Sequence, residues 1–211
     1  MATENRRLWN ATDKRYARMA EKKQHVLQIA QDVFIRNGYN RTSMDAIAQD
    51  AGVSKMTIYR QFGDKQSLFI ACMNDQCTEM LTLQKYTPAT NRNDAKNQLL
   101  HYGKLIVELI TRPDIVMLYR MLIGEITHFP LLGEIFYTGG PNRAIQVVEH
   151  ILSNLFEQPE CRLRSQAFFW ASLGDTYERI VLGIIDPTEA KNTFETQTKL
   201  AASMVLSQNN Q

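Results

Sequence analysis

Cysteine is scarce. Three occur in 211 residues, at positions 72, 77 and 161, and none forms a Cys-x-x-Cys pair. That excludes a disulfide framework and a structural zinc site, and it fits a reducing compartment where cysteine packs as a small hydrophobe. Cys72 and Cys77, about 140° apart around a helix, cannot share a metal. Long apolar runs are also missing: no stretch approaches the roughly 18–20 residues of a membrane span. The opening MATENRRLWNATDKRYARM lacks the apolar core of a secretory signal, so a cytoplasmic protein is expected. With only six prolines and ten glycines, most at the ends of apolar runs, and no strict alternation of apolar and polar residues, no strand is expected. There is no nucleophile elbow, no phosphate-binding glycine loop and no catalytic pair, so no catalytic residue, metal site or cofactor is assigned. What remains, 44% hydrophobic and 22% charged, is an ordinary globular composition.

The net charge of +2 hides an asymmetry. Residues 1–65 hold 12 lysines and arginines against 7 acids, and the remainder hold 12 against 15. A basic front on an acidic body suggests a front end that meets a polyanion. Residues 1–20 are themselves basic, with Arg6, Arg7, Lys14, Arg15 and Arg18 interleaved with Trp9 and Tyr16. They read as an arm that either follows a phosphate backbone or merely solubilises.

Apolar residues at helical spacing organise the rest. Val26, Ile29, Ala30, Val33 and Phe34 form one face of a helix from Glu21 to Asn37, stopped by Asn37-Gly38. Thr42-Ser43 starts a short second helix. Asp45, three residues after Thr42, resembles a capping box, and Ile47, Ala48 and Ala51 give the apolar side. Gly52 ends that helix. Ser54 can cap a third, Lys55 to about Gln61, with Ile58 and Phe62 facing inward. After Gly63-Asp64 a longer helix carries Leu68, Phe69, Cys72, Met73 and Met80 on its inner side. Further helices are expected over roughly 94–111, 114–128, 131–157 with a break at Gly139-Gly140-Pro141, 162–184 and 187–207. The tail from Ser207 is polar and expected to fray. The domains are an arm (1–20), a three-helix unit (21–66) and a larger all-α unit (67–211).

Residues 38–69, GYNRTSMDAIAQDAGVSKMTIYRQFGDKQSLF, form a helix-turn-helix. Ala51-Gly52-Val53 is its tight turn. The second helix exposes Lys55, Met56, Thr57, Tyr59, Arg60 and Gln61. Lys and Arg can donate to phosphates or to guanine, Gln can pair with adenine, and Thr and Met can touch the thymine methyl. Thr42 and Ser43 sit at a helix N-terminus, which suits a phosphate.

Gly38-Tyr39, Thr42, Ile47-Ala48, Ala51-Gly52-Val53-Ser54, Thr57-Ile58-Tyr59, Phe62 and Lys65 together resemble the signature of the TetR family of bacterial transcriptional regulators. The likeness covers about residues 21–70. It implies that Thr42, Ser43, Thr57, Tyr59 and Lys65 contact phosphates, and that Lys55, Met56, Arg60 and Gln61 face base edges. Ser54, the cap of that helix, is counted with the DNA-binding set. Met56 departs from the pattern, which usually has a small residue there.

Past residue 85 the resemblance is local, to an AefR-like C-terminal subclass, in His128-Phe129-Pro130, Phe136-Tyr137 and Gly140-Pro141. It implies an all-helical domain that dimerises through its last two long helices and holds a cavity for a small effector. Independently, aromatic and methionine residues crowd this half among few polar groups, as in a ligand site. Met117, Tyr119, Met121, Glu125, His128, Phe136, Tyr137, Phe168 and Tyr177 are the candidate lining, though aromatics at helical spacing are more often core. Glu125 and His128 share a helical face and could orient a ligand. A lone Glu-x-x-His does not make a di-metal site, which needs two such motifs and two further carboxylates.

The sequence is therefore expected to encode a homodimeric, ligand-responsive repressor. It would bind a palindromic DNA operator and be released by a small apolar or aromatic effector. The alternatives are an all-α carrier or enzyme with a vestigial helix-turn-helix, or a constitutive DNA-binding protein with a sealed core.

Overall fold

The computed structural model describes residues 14–78, 86–127 and 129–207. The arm up to residue 13, Met80 and His128 lie outside these residues. Among the described residues there are ten α-helices and no strand. Two units divide the chain, Met1–Cys72 and Met73–Gln211.

In the first unit, α1 spans Lys14–Asn37, α2 Met44–Asp50 and α3 Lys55–Phe62, and α4, Lys65–Thr78, begins here and continues into the second unit. α1 starts seven residues before the expected Glu21, so residues 14–20 are helical. No proline or glycine interrupts Lys14–Asn37, and Lys, Arg, Ala and Met are good helix formers. The apolar face begins only at Val26, which is why periodicity missed the early turns. Val26, Ala30, Val33, Phe34, Ile47, Ile58, Leu68 and Phe69 are buried together. Phe34, Tyr39 and Phe69 form an aromatic knot, with ring centroids 5.2–5.8 Å apart. Gly52 holds φ at +64°, a left-handed value that favours glycine, and a Cβ there would meet nothing. Backbone conformation, not space, therefore selects glycine in this turn.

The second unit holds α5 (Arg92–Ile110), α6 (Pro113–Glu125), α7 (Leu131–Gly139), α8 (Pro141–Leu152), α9 (Glu160–Val181) and α10 (Lys191–Leu206). Helices α5, α8, α9 and α10 pack around one core that includes Leu99, Tyr102, Ile106, Val148, Ile151, Phe168 and Ala201. A smaller cluster joins Val116, Ile180, Ala190 and Phe194. Local chemistry sets the boundaries. Asn91 caps α5 by accepting from the Asn93 and Asp94 N–H groups, and Asp94 accepts from the Thr90 N–H in return. α10 starts four residues later than expected. Asp186 accepts from the N–H and hydroxyl of Thr188, a side-chain turn that holds residues 187–190 out of the helix. α8 stops at Leu152, where Ser153 folds its hydroxyl back onto the His150 carbonyl.

α5 and α10 approach closely at Gly103. A Cβ at Gly103 would lie 2.4 Å from Thr198 Cγ2 and 3.3 Å from Phe168 Cζ. The C-terminus of α10 is gathered by two arginines. Arg92 donates to the Leu206 carbonyl, and Arg164 donates to those of Val205 and Ser207. Both guanidiniums lie over the Phe156 ring. This places cations where the helix dipole is negative. α9 is broken at Gly174, whose φ of +52° interrupts the helical path.

Candidate nucleic-acid interface and helical second unit

α3 presents its polar side because its apolar side is anchored. Ile58 is fully buried and Phe62 nearly so. Ser54 caps the helix, accepting from the Thr57 N–H, with the two hydroxyls 2.8 Å apart. Lys55, Met56, Tyr59 and Arg60 are exposed, Met56 at 77%, while Thr57 and Gln61 are half-buried. Lys55 donates to Asp45 of α2 at 2.8 Å, and that hydrogen bond, then the charge of Asp45, raises the lysine pKa.

The entry to α2 differs from the expected capping box. Ser43, not Thr42, is the N-cap, and its hydroxyl accepts from the Ala46 N–H at 3.1 Å. Asp45, freed from a capping role, pairs with Lys55. Thr42 is 3% exposed and donates its hydroxyl to the Gly38 carbonyl at 2.8 Å. Its hydroxyl is therefore engaged within the turn in the DNA-free chain. Lys65 is likewise occupied: its ammonium donates to the carbonyls of Tyr39 and Thr42 at 3.0 and 3.1 Å and lies 4.4 Å from the Tyr39 ring centre. Motif position places Thr42 and Lys65 in the phosphate set, and the sequence does not reveal the carbonyls that hold them in the DNA-free chain. Ser43 is exposed beside them.

The expected effector residues gather only in part. Tyr119, Phe136 and Tyr177 come together, Tyr119 being 5.2 Å from Phe136 and 5.7 Å from Tyr177. Burial pushes the Tyr119 phenol pKa up. Met121 is half-buried on the same helix as Tyr119, and Glu125 is buried near its end. Met117 and Tyr137 are exposed. Phe168 is fully buried in the main core, against Gly103. Burial and helical spacing look alike in sequence for core and cavity residues.

Sequence reasoning missed a groove of about 640 Å³ between α5 and α10, lined among others by Lys104, Val107, Glu108, Lys191, Phe194 and Glu195. The only local trace is Lys191, Glu195 and Lys199 spaced four apart on one helical face. Among the described residues no group of three histidine, cysteine or acidic side chains could hold a metal, and no helix is long and apolar enough to cross a membrane.

A capped helix-turn-helix with a basic, exposed second helix, carried on a chain whose other unit is all-helical, defines a helix-turn-helix regulator of transcription. Comparison with known proteins agrees. Residues 26–72 match the family described as bacterial regulatory proteins, tetR family, and residues 97–193 match the AefR-like transcriptional repressor C-terminal domain. The chain belongs to the TetR family of bacterial transcriptional regulators. The HTH-type transcriptional regulator YvkB of Bacillus subtilis, itself uncharacterized, is 29% identical over 134 residues, or 57% of this chain and 69% of that one. The flavonoid-responsive regulator FrrA is 26% identical, with a TM-score of 0.68 over 89% of this chain and 96% of that one. A TetR-family regulator from Mesorhizobium loti shares the fold at a TM-score of 0.68 and 24% identity, over 90% and 96%. These relatives are regulators, not enzymes, so the enzymatic alternative is set aside. Members of the family bind DNA and small effectors and act as dimers.

Proposed function

We propose that this regulator is a repressor that binds a palindromic operator as a homodimer in the cytoplasm and is released by a small apolar or aromatic effector. The observation that carries the DNA-binding half is the exposed Lys55, Met56, Tyr59 and Arg60 face of α3, held outward by buried Ile58 and Phe62. Two such helices would enter successive major grooves about 34 Å apart. Exposed apolar residues on the packed pair α9 and α10, namely Leu163, Trp170, Leu200 and Met204, support dimerisation through these last helices. For the effector, support comes from the Tyr119, Phe136 and Tyr177 cluster and from the flavonoid response named for a relative at 26% identity. Glu125 and His128 are the proposed orienting groups. Binding must differ between the DNA-competent and released conformers for an effector to act.

The test is selection of a duplex from a random pool, followed by anisotropy titration. Wild type is expected to select a palindrome and to bind with steep salt dependence. Arg60→Ala should lose about 1–3 kcal/mol and relax one operator position, while Tyr59→Phe should weaken binding without changing sequence preference. Unchanged affinity for both variants would remove α3 as the reading element.

A further inference from the structure

We infer that the groove between α5 and α10 is a binding site for an amphipathic organic carboxylate, lined by residues other than Tyr119, Phe136 and Tyr177. Its volume, about 640 Å³, falls in the range of small-molecule sites. The floor is apolar: Leu100 and Val107 come from α5 and buried Phe194 from α10. The rim is charged and exposed, with Lys104 and Glu108 on α5 facing Lys191, Glu195 and Lys199 on α10.

Charge selects the ligand class. Three ammonium groups face two carboxylates, leaving one net positive charge. The Lys199–Glu195 pair is tight at 2.5 Å, whereas Lys104 lies 3.8 Å from Glu108, a loose contact. Lys191 forms no ion pair among the described residues, and it opens α10, whose N-cap residue Ala190 supplies no side-chain acceptor. The two lysines less tightly held, Lys104 and Lys191, thus stand on opposite walls. A single carboxylate between them completes the charge balance, while its apolar body covers Val107 and Phe194. A dianion or polyphosphate would meet the two glutamates, and an organic cation would meet the net positive rim. The field of Lys104 reaches across the groove: after Lys199, it helps hold the Glu195 carboxyl below its usual range.

Isothermal titration of the full chain with 1-naphthylacetate, its neutral amide and 1-naphthylmethylamine tests the site without DNA, so its outcome is independent of operator binding. The acid is expected to bind, the amide about tenfold more weakly and the amine weaker still. The double variant Lys104→Ala/Lys191→Ala should lower acid affinity about tenfold while leaving amide affinity and the melting temperature unchanged. Glu195→Gln should strengthen acid binding. Val107→Trp, which fills the groove, should abolish binding of both acid and amide. Equal affinity for acid and amide, no effect of the double variant, or no acid binding up to about 10 mM would overturn the assignment. So would a shift in oligomeric state on mutating Lys104 and Lys191, which would make the groove a contact between copies of the chain.

Discussion

The ammonium of Lys55 lies 2.8 Å from the carboxylate of Asp45, across the turn that separates α3 from α2. A side chain proposed to read DNA is thus already engaged in the DNA-free protein. DNA and Asp45 compete for it. Both partners are more than half exposed, so the pair is weak as a stabiliser and cheap to exchange.

Asp45→Asn should therefore release Lys55 and remove a negative charge from the binding side. Non-specific duplex affinity is expected to rise several-fold at low salt, and the slope of log affinity against log salt should steepen by about 0.9 for one added phosphate contact. Anisotropy at several salt concentrations measures this; an unchanged slope would show that Lys55 takes no phosphate. Because pairing raises the lysine pKa, the ammonium is fully present at neutral pH. The pair is lost only as pH rises through that raised value, so the effect of Asp45→Asn should be flat between pH 6 and about 8.

Lys65→Met tests a structural role in place of the motif-assigned one. The ammonium joins two carbonyls of the loop before α2 and the face of Tyr39. Losing these half-buried contacts should destabilise the first unit by about 1–2 kcal/mol, read by denaturant melting. A phosphate contact alone would leave the melt unchanged and lower only DNA affinity.

Gly103→Ala should destabilise the second unit by about 1–3 kcal/mol, because a Cβ there overlaps the Thr198 methyl and crowds Phe168. Helix propensity alone predicts the opposite sign, since alanine is favoured over glycine inside a helix. Calorimetric melting decides between them. The double variant Gly103→Ala/Thr198→Ser, which removes the methyl, should recover most of the loss.

Trp170→Glu with Leu200→Glu should convert a dimer to a monomer in sedimentation velocity while leaving the helical circular dichroism intact. Both side chains are more than half exposed, so neither substitution opens the core. A dimer that survives both changes would place the interface elsewhere.

Much of the fold was legible because helices declare themselves locally. Val26 to Phe34, the Gly52 turn and the Ser54 cap all signal through neighbours within a few residues. Some differences arose where the partner is distant. Lys65 finds carbonyls 23 and 26 residues away, and nothing in its local sequence announces them. Thr42 and Ser43 are adjacent hydroxyls, and only the fold decides which one caps α2. The groove is hidden for the same reason, since α5 and α10 contribute facing walls from opposite ends of the second unit. Phe168 shows the converse limit: an aromatic at helical spacing looks the same whether it lines a cavity or fills a core.

The two arginines that gather the end of α10 have a topological consequence. Arg92 belongs to the first turn of α5 and reaches the carbonyl of Leu206, so the helical body from α5 to α10 enters and leaves at one corner. Joining residue 207 to Tyr86 by a linker, so that Tyr86 and Ala89 stay in the core, with a new opening cut at the exposed loop near Ser153-Asn154, would reorder the body without moving that core. Adjacent ends are what make such circular permutation tolerable. The clamp thus makes the order of these helices along the chain separable from their arrangement in space.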